Sequence, residues 1–141
     1  MKLCEQIDAL IERQLRDWPV VRDNYAALKH LAMRSVSLAH SEVILQHNPA
    51  RRRSSAARVN TSALATRPCF LCRAHQPTEQ EAVEWGGLYK IQVNPYPIFP
   101  SHLTIASLSH TPQSLLDPKR IDHLLQLAEE LPGWVLFYNG P

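Results

Sequence analysis

The amino-acid sequence predicts a single domain of the α+β class. Its 141 residues are enough for one hydrophobic core and too few for two. Some segments repeat apolar residues at helical spacing, whereas others are short apolar runs bounded by turn residues, as in strands. The predicted order is two helices, a strand pair, two more strands, a helix and a last strand, and this order favours an α+β domain.

Three segments have the pattern of amphipathic helices. The first covers residues 3–18 and the second covers residues 20–33, with a proline between them. We expect these two helices to cover one face of a sheet. The third covers residues 118–131 and has a proline in its first turn. Residues 1–33 thus form a helical extension, and residues 34–141 form the sheet-forming core.

A strand pair is predicted after the second helix. Residues 36–38 and 43–45 favour strands, residues 40–41 form the turn between them, and Pro49 ends the second strand. The next segment, 51–65, holds four arginines among serines and alanines and few large apolar side chains. It is predicted to be a loop.

Three further strands are predicted in the second half of the chain. Residues 88–93 and 103–106 are joined by a bend at residues 94–97, because two prolines so close together cannot both fit a central strand. Residues 134–138 form an apolar run that predicts a buried last strand.

Composition and charge argue against several functional classes. A formal net charge of +2 gives no reason to expect nucleic-acid binding. No apolar run approaches the ~20 residues that span a bilayer. The N-terminus becomes polar immediately after Met1 and lacks the apolar core of a signal peptide. We therefore expect a cytoplasmic protein with no nucleic-acid or membrane partner.

The most specific local motif is Cys69-x-x-Cys72. Two thiolates at this spacing can bind one tetrahedral Zn²⁺ ion. A redox pair is an alternative, although Phe70 and Leu71 between the cysteines look more like packing residues than the small residues or proline of thioredoxin-like motifs. Two buried cysteines without a metal are a second alternative. The candidates for further metal ligands are His75, His102 and His110.

The arginines at residues 51–53 could hold phosphate oxygens through bidentate hydrogen bonds. The alternative is a solvated basic loop. His102, just after the bend, could bind a metal or a phosphate, but a structural role is the better prediction. The sequence has no Gly-x-Ser-x-Gly elbow, no phosphate-binding loop and no His-x-His run. It therefore offers binding groups without a nucleophile.

Several segments together resemble the histidine-triad superfamily. Its strand–bend–strand unit is similar to residues 89–97 followed by residues 102–105 and His110. Within the superfamily the segments resemble the branch of galactose-1-phosphate uridylyltransferase and the GDP-hexose phosphorylases, and a bacterial family of that branch. The likeness covers roughly residues 20–141 and consists of motifs that occur in the same order. The segments 48–51, 68–72, 94–100 and 137–141 also contribute to it.

The resemblance implies a histidine-triad-like antiparallel sheet with flanking helices, incomplete at the C-terminus of this chain. It also implies a structural zinc. By position, Cys69 and Cys72 match the first two zinc ligands of the uridylyltransferases, and His110 matches the third. The fourth ligand would lie after residue 141.

The resemblance further implies a nucleotide pocket. Arg51 matches an arginine that contacts nucleotide phosphate after a strand-ending proline. Asn94 and Asn139 match asparagines that line the pocket, and Gly140 belongs to the same wall. The ligand would be a nucleotide or a nucleotide sugar.

The implied function is nucleotidyl transfer or phosphorolysis of a nucleotide sugar through a histidine–nucleotidyl intermediate. The nucleophile would lie in a His-x-His motif after residue 141, so any activity would belong to a longer protein. The alternatives are a non-catalytic, zinc-stabilised binding module and a hydrolase of the dinucleotide-cleaving type. Because the last predicted strand lacks its continuation, we also expect a tendency to form homodimers.

Overall fold

Residues 1–52, 67–112 and 114–138 are described by the structure, which is a computed structural model. Within these ranges three α-helices and five β-strands form two antiparallel sheets, which confirms the predicted α+β class. The elements are α1 (Leu3–Asp17), α2 (Pro19–Ala27), β1 (Ala32–Leu38), β2 (Ser41–His47), β3 (Val83–Trp85), β4 (Tyr89–Val93), β5 (Leu103–Ser107) and α3 (Pro118–Glu130).

Helix α1 forms because its apolar residues repeat at helical spacing and its first turn is capped. The backbone N–H of Lys2 donates to Glu5 Oε2 at 2.9 Å, which closes one half of a capping box. The helix ends before Trp18, which is extended because a proline follows it. Pro19 then begins α2, since its missing N–H is not needed in a first turn.

The three-stranded sheet has the order β3-β4-β5. Gly86, Gly87 and Leu88 connect β3 to β4, and the N–H of Leu88 donates to the carbonyl of Trp85 at 3.3 Å. The two glycines have left-handed φ angles, 61° and 65°, which this tight turn requires. Strands β4 and β5 pair in register, with Ile91 opposite Ile105. The sequence did not predict β3, because its three residues are too few to show an alternating pattern.

The hydrophobic core lies between the two N-terminal helices and one face of this sheet. Ile7 and Leu10 of α1, Val21 of α2, and Ile91 and Val93 of β4 are all fully buried in one cluster. As the sequence predicted, the two helices therefore cover one face of a sheet. Residues of β4 that alternate with Ile91 and Val93 face the opposite side.

The other sheet is a two-stranded ribbon of β1 and β2, in which Val36 pairs with Val43. The predicted strand pair is thus confirmed. Both strands are longer than predicted, and the ribbon leaves Ile44 and Leu45 exposed by 62% and 52%.

The predicted extent of the second helix is wrong. Helix α2 stops at Ala27 and is followed by a 3₁₀ turn at Leu28–His30. Strand β1 then takes Ala32 and Met33, which pair with His47 and Gln46. The ladder to β2 thus overrides the helical pattern of these residues.

The prediction of a buried last strand is also wrong. In the described part of the chain, residues 134–138 belong to neither sheet, and Val135 is 86% exposed. A strand requires a paired neighbour, and here Phe137 packs instead against His102 and Phe99, with ring centroids 5.9 and 6.3 Å apart. From residue 53 onward, the predicted loop 51–65 lies outside the described residues.

No helix in the described ranges is long and apolar enough to cross a membrane.

The location of the core predicts the effect of truncating a leucine. Leu10→Ala should lower the free energy of unfolding by about 2–5 kcal/mol, because it leaves a cavity in the core. Leu125→Ala, on α3 with 60% of the residue exposed, should change it by about 0.5 kcal/mol or less. Urea unfolding followed by circular dichroism measures both. Equal losses in the two variants would contradict the packing of α1 on the sheet.

Candidate functional site

A tight turn brings Cys69 and Cys72 together. The backbone N–H of Cys72 donates to the carbonyl of Cys69 at 3.0 Å, and a 3₁₀ turn at Arg73–His75 follows directly. Neither cysteine forms a disulfide. Below, residues 69–76 are called the cysteine turn.

His110 completes a cluster with the two cysteines. It lies just after β5, and its Nδ1 is 3.2 Å from the Sγ of Cys72. The ligand atoms of the three residues all lie within 4.8 Å of one another, so they form a group that could hold a metal ion. The structure therefore brings together all three metal ligands that the resemblance implied.

The other two histidine candidates are engaged elsewhere. His75 Nδ1 lies 3.2 Å from the carbonyl oxygen of Cys69 and is not part of the cluster. His102 is buried among aromatic rings at the other end of β5.

The thiols of the cluster lie beside a buried cation. Burial raises the pKa of Cys72, and a hydrogen bond and the charge of Cys69 raise it further, whereas the ammonium of Lys90 opposes them. Burial in turn lowers the pKa of Lys90, and the charge of Cys72 opposes that shift. Sequence reasoning missed this lysine, because a single lysine within a predicted strand belongs to no motif.

The second group of candidate residues surrounds the bend at residues 94–97. The backbone N–H of Asn94 donates to the carbonyl of His102 at 2.9 Å. Its side chain accepts from the N–H of Tyr96 at 2.9 Å and donates to Thr104 Oγ1 at 3.3 Å. Asn94, predicted to line a nucleotide pocket, therefore uses its side chain to hold the bend.

His102 is a buried, neutral histidine. Only 7% of it is exposed, and its Nδ1 accepts a hydrogen bond from the backbone N–H of Ile98 at 3.3 Å. Burial lowers the pKa of His102, and the nearby charge of Arg51 lowers it further. Since Nδ1 is an acceptor, the remaining proton lies on Nε2.

Buried groups also hold the backbone of His102. The hydroxyl of Tyr25 donates to its carbonyl oxygen at 3.0 Å, and burial raises the pKa of Tyr25 to about 12. The bend is therefore anchored to helix α2.

Arg51 reaches this bend from the end of β2. It closes a 3₁₀ turn at Pro49–Arg51, and its N–H donates to the carbonyl of Asn48 at 3.2 Å. The side chain of Asn48 donates to the carbonyl of Pro97 at 3.2 Å, which fastens the turn to the bend. The Oδ1 of Asn48 is buried without a hydrogen-bond partner among the described residues. Sequence reasoning missed Asn48 as a site residue, although it begins the segment that holds Arg51.

The predicted pocket residues Asn139 and Gly140 lie outside the described residues. Of the four predicted nucleotide-binding residues, the structure thus places Arg51 and Asn94, both next to His102.

A protein-family model described as a domain of unknown function, DUF4922, matches residues 10–141. The chain belongs to this family. No curated protein and no solved structure matches the chain. The DUF4922 match includes both the cysteine turn and the bend.

The two clusters of this DUF4922 domain lie at opposite ends of one strand pair. The bend with His102 follows the end at which Val93 meets Leu103, and His110 lies beyond the other end, after Ser107. Four residue steps at ~3.4 Å each put roughly 14 Å between these ends. The cluster of Cys69, Cys72 and His110 and the bend with His102 are therefore two separate groups of candidate residues.

The lowered pKa of His102 predicts a pH dependence of stability. The unfolded chain takes up a proton on this histidine near pH 6.5, while the folded domain resists protonation until a lower pH. The stability from His102 is thus complete above about pH 6.5 and decreases as the pH falls through that value toward the lowered pKa, by at most about 1.4 kcal/mol per pH unit.

The variant His102→Asn should make the free energy of unfolding less dependent on pH, because asparagine keeps a hydrogen-bond acceptor but does not titrate. The matched control is His40→Asn in the exposed turn between β1 and β2. Urea unfolding at several pH values measures the slope. The explanation is wrong if His40→Asn flattens the slope as much as His102→Asn does.

Proposed function

We propose that this domain is the nucleotide-binding part of a nucleotidyl transferase or phosphorylase that acts on a nucleotide sugar. The observation that carries the proposal is the attachment of the turn at Pro49–Arg51 to the bend before the buried His102, through the hydrogen bond from Asn48 to Pro97. The charge of Arg51 also lowers the pKa of His102. This bend resembles the one in the histidine-triad superfamily.

A phosphate group fits the surroundings of Arg51. A guanidinium next to a neutral imidazole presents a net positive charge, and its planar donors match phosphate oxygens bidentately. The Nε2–H of His102 is a further donor of the kind that binds an anion. The half-buried position of Arg51 strengthens such contacts, because they are less screened by solvent than those of an exposed arginine.

A hydroxyl of a ribose or hexose fits the acceptor atom Oδ1 of Asn48, which lies in the same turn as Arg51. The Oδ1 of Asn48 is buried without a hydrogen-bond partner among the described residues, and such an atom is favourable only when a donor reaches it. A sugar hydroxyl is a donor of suitable size.

The proposed reaction is a double displacement. A histidine nitrogen attacks the α-phosphorus of the nucleotide sugar, an N–P bond forms, and the bond to the sugar phosphate breaks. The oxygen of an acceptor phosphate or sugar phosphate then attacks the same phosphorus and releases the histidine. The nucleophilic histidine would belong to a longer protein, and the role of Arg51 is to stabilise charge on the transferring group.

Zinc is the metal that we propose for the cluster. Two thiolates and an imidazole are the donors that Zn²⁺ prefers, and a tetrahedral site with Zn–S bonds of ~2.3 Å requires ligand atoms about 3.8 Å apart. The distance of 3.2 Å between Cys72 Sγ and His110 Nδ1 and the limit of 4.8 Å for the cluster agree with such a site. Zinc would link the cysteine turn to the end of β5.

A second candidate function is a metal-stabilised binding module without catalysis. The observation that favours it is the exposed ribbon of β1 and β2, whose apolar side chains Met33, Leu38 and Ile44 are all more than half exposed. The two candidates differ in one result: a longer protein that includes the His-x-His motif forms an acid-labile nucleotidyl adduct from a labelled nucleotide sugar only if it is a transferase.

The zinc site predicts a metal content that depends on Cys72. The purified chain should contain close to one zinc per molecule, and Cys72→Ser should lose most of it. Cys4→Ser, whose cysteine lies in α1 outside the cluster, should keep it. Mass spectrometry of the metal content measures all three proteins. A folded wild-type chain without metal would refute the zinc assignment.

The phosphate site predicts a loss of nucleotide affinity on changing Arg51. Arg51→Ala should weaken binding of a nucleoside diphosphate about 10- to 100-fold, because it removes hydrogen bonds to a charged group. Arg52→Ala changes the exposed neighbour and should have little effect. Calorimetric titration with UDP, GDP and ADP measures the affinities. Equal losses in both variants would mean that only the general charge of the segment matters.

A further inference from the structure

Lys90 lies in the middle of β4 and is only 6% exposed. A lysine is seldom buried to this extent without a charged partner. Among the described residues no carboxylate pairs with it. Ile91 and Val93 face the hydrophobic core, so Lys90, which alternates with them along the strand, faces the other side of the sheet, where the cysteine turn lies.

The ammonium of Lys90 binds the cysteine turn at its centre. Its Nζ donates to the carbonyl oxygen of Leu71 at 2.5 Å, and Leu71 lies between the two cysteines. The same Nζ donates to Gln76 Oε1 at 3.1 Å, at the end of the turn. Gln76 is held in place by its bond to Gln92 Oε1 at 2.9 Å. One buried cation thus holds both halves of the turn against β4.

A second cation holds the end of the cysteine turn. Arg73 donates to the carbonyl of Gln80 at 2.7 Å. The bond of Lys90, in contrast, reaches the carbonyl of Leu71, between the two cysteines.

We propose that Lys90 is a positioning residue of the metal centre, which holds the cysteine turn in its ligating conformation through the hydrogen bond to Leu71. This proposal rests on the metal centre proposed above. Outer partners that orient metal ligands typically change metal affinity 10- to 100-fold when they are removed. Lys90 would orient Cys69 and Cys72 through its hydrogen bond to the carbonyl of Leu71, which lies between them.

The test compares metal affinity in three variants of the whole chain. Lys90→Met keeps the apolar stem and removes the ammonium, and should weaken Zn²⁺ binding about 10- to 100-fold. Lys90→Arg keeps a charged donor and should recover most of the affinity. Gln14→Met is the matched control, because it also removes a buried polar group, but one that bonds to Glu79 and Glu81 and not to the cysteine turn. Competition with a chromogenic chelator measures the affinities.

A second readout separates positioning from general loosening of the fold. With Co²⁺ in place of Zn²⁺, the visible and thiolate charge-transfer bands report ligand geometry. They should change in Lys90→Met and not in Gln14→Met. If Lys90→Met does not fold, Lys90→Arg is still informative, since its bands and affinity should remain close to those of the wild-type chain.

The outcomes distinguish the two proposals. A wild-type chain that binds neither Zn²⁺ nor Co²⁺ would refute the metal centre itself. A wild-type chain that binds metal while Lys90→Met binds equally well would overturn only the role of Lys90. Equal losses in Lys90→Met and Gln14→Met would also overturn it, because they would indicate a general loss of packing.

Discussion

Strand β4 is buried on both faces, and the arrangement of the domain depends on this constraint. One face presents Ile91 and Val93 to the helices, where the hydrophobic effect stabilises the contact. The other face presents Lys90 and Gln92, whose polar atoms must be hydrogen-bonded because they are out of water. The cysteine turn supplies those bonds. Its position is therefore set by the polar groups of β4 as much as by its own sequence.

The same strand separates two kinds of chemistry. Thiols and an imidazole gather at one end of the β4–β5 pair, and a guanidinium and a neutral imidazole gather at the other. Soft donors suit a metal ion, whereas planar nitrogen donors suit a phosphate. Because the strands are stiff and paired in register, the two sites keep a fixed separation. A metal bound at the first site would affect the second only through this pair of strands.

The sequence predicted those parts of this arrangement that depend on local pattern. The α1, β4 and β5 elements follow from periodicity, and the cluster of Cys69, Cys72 and His110 was implied by the resemblance. The parts that depend on tertiary partners were missed or wrong. The apolar segment 134–138 has strand propensity but pairs with no described strand, and the short β3 exists because β4 lies beside it. The burial of Lys90 depends on a turn remote in sequence, so no local pattern could reveal it.

The polar contacts between β4 and the cysteine turn also explain how a metal ion would stabilise this domain. On the helix side, large apolar side chains hold the sheet, whereas the cysteine turn offers few, and its Phe70 is 63% exposed. A hydrogen bond contributes only about 0.5–1.5 kcal/mol in water, or about 1.5–3 kcal/mol where one partner is charged, so a few such bonds stabilise this turn modestly. A metal ion between Cys72 and His110 would join residues 38 positions apart. Such a link restricts the unfolded chain in the way a disulfide does, but it forms under reducing conditions, where disulfides do not persist. A cross-link would thus stabilise the domain most where Cys69, Cys72 and His110 meet, and these residues are also the ones that offer soft donors to a metal.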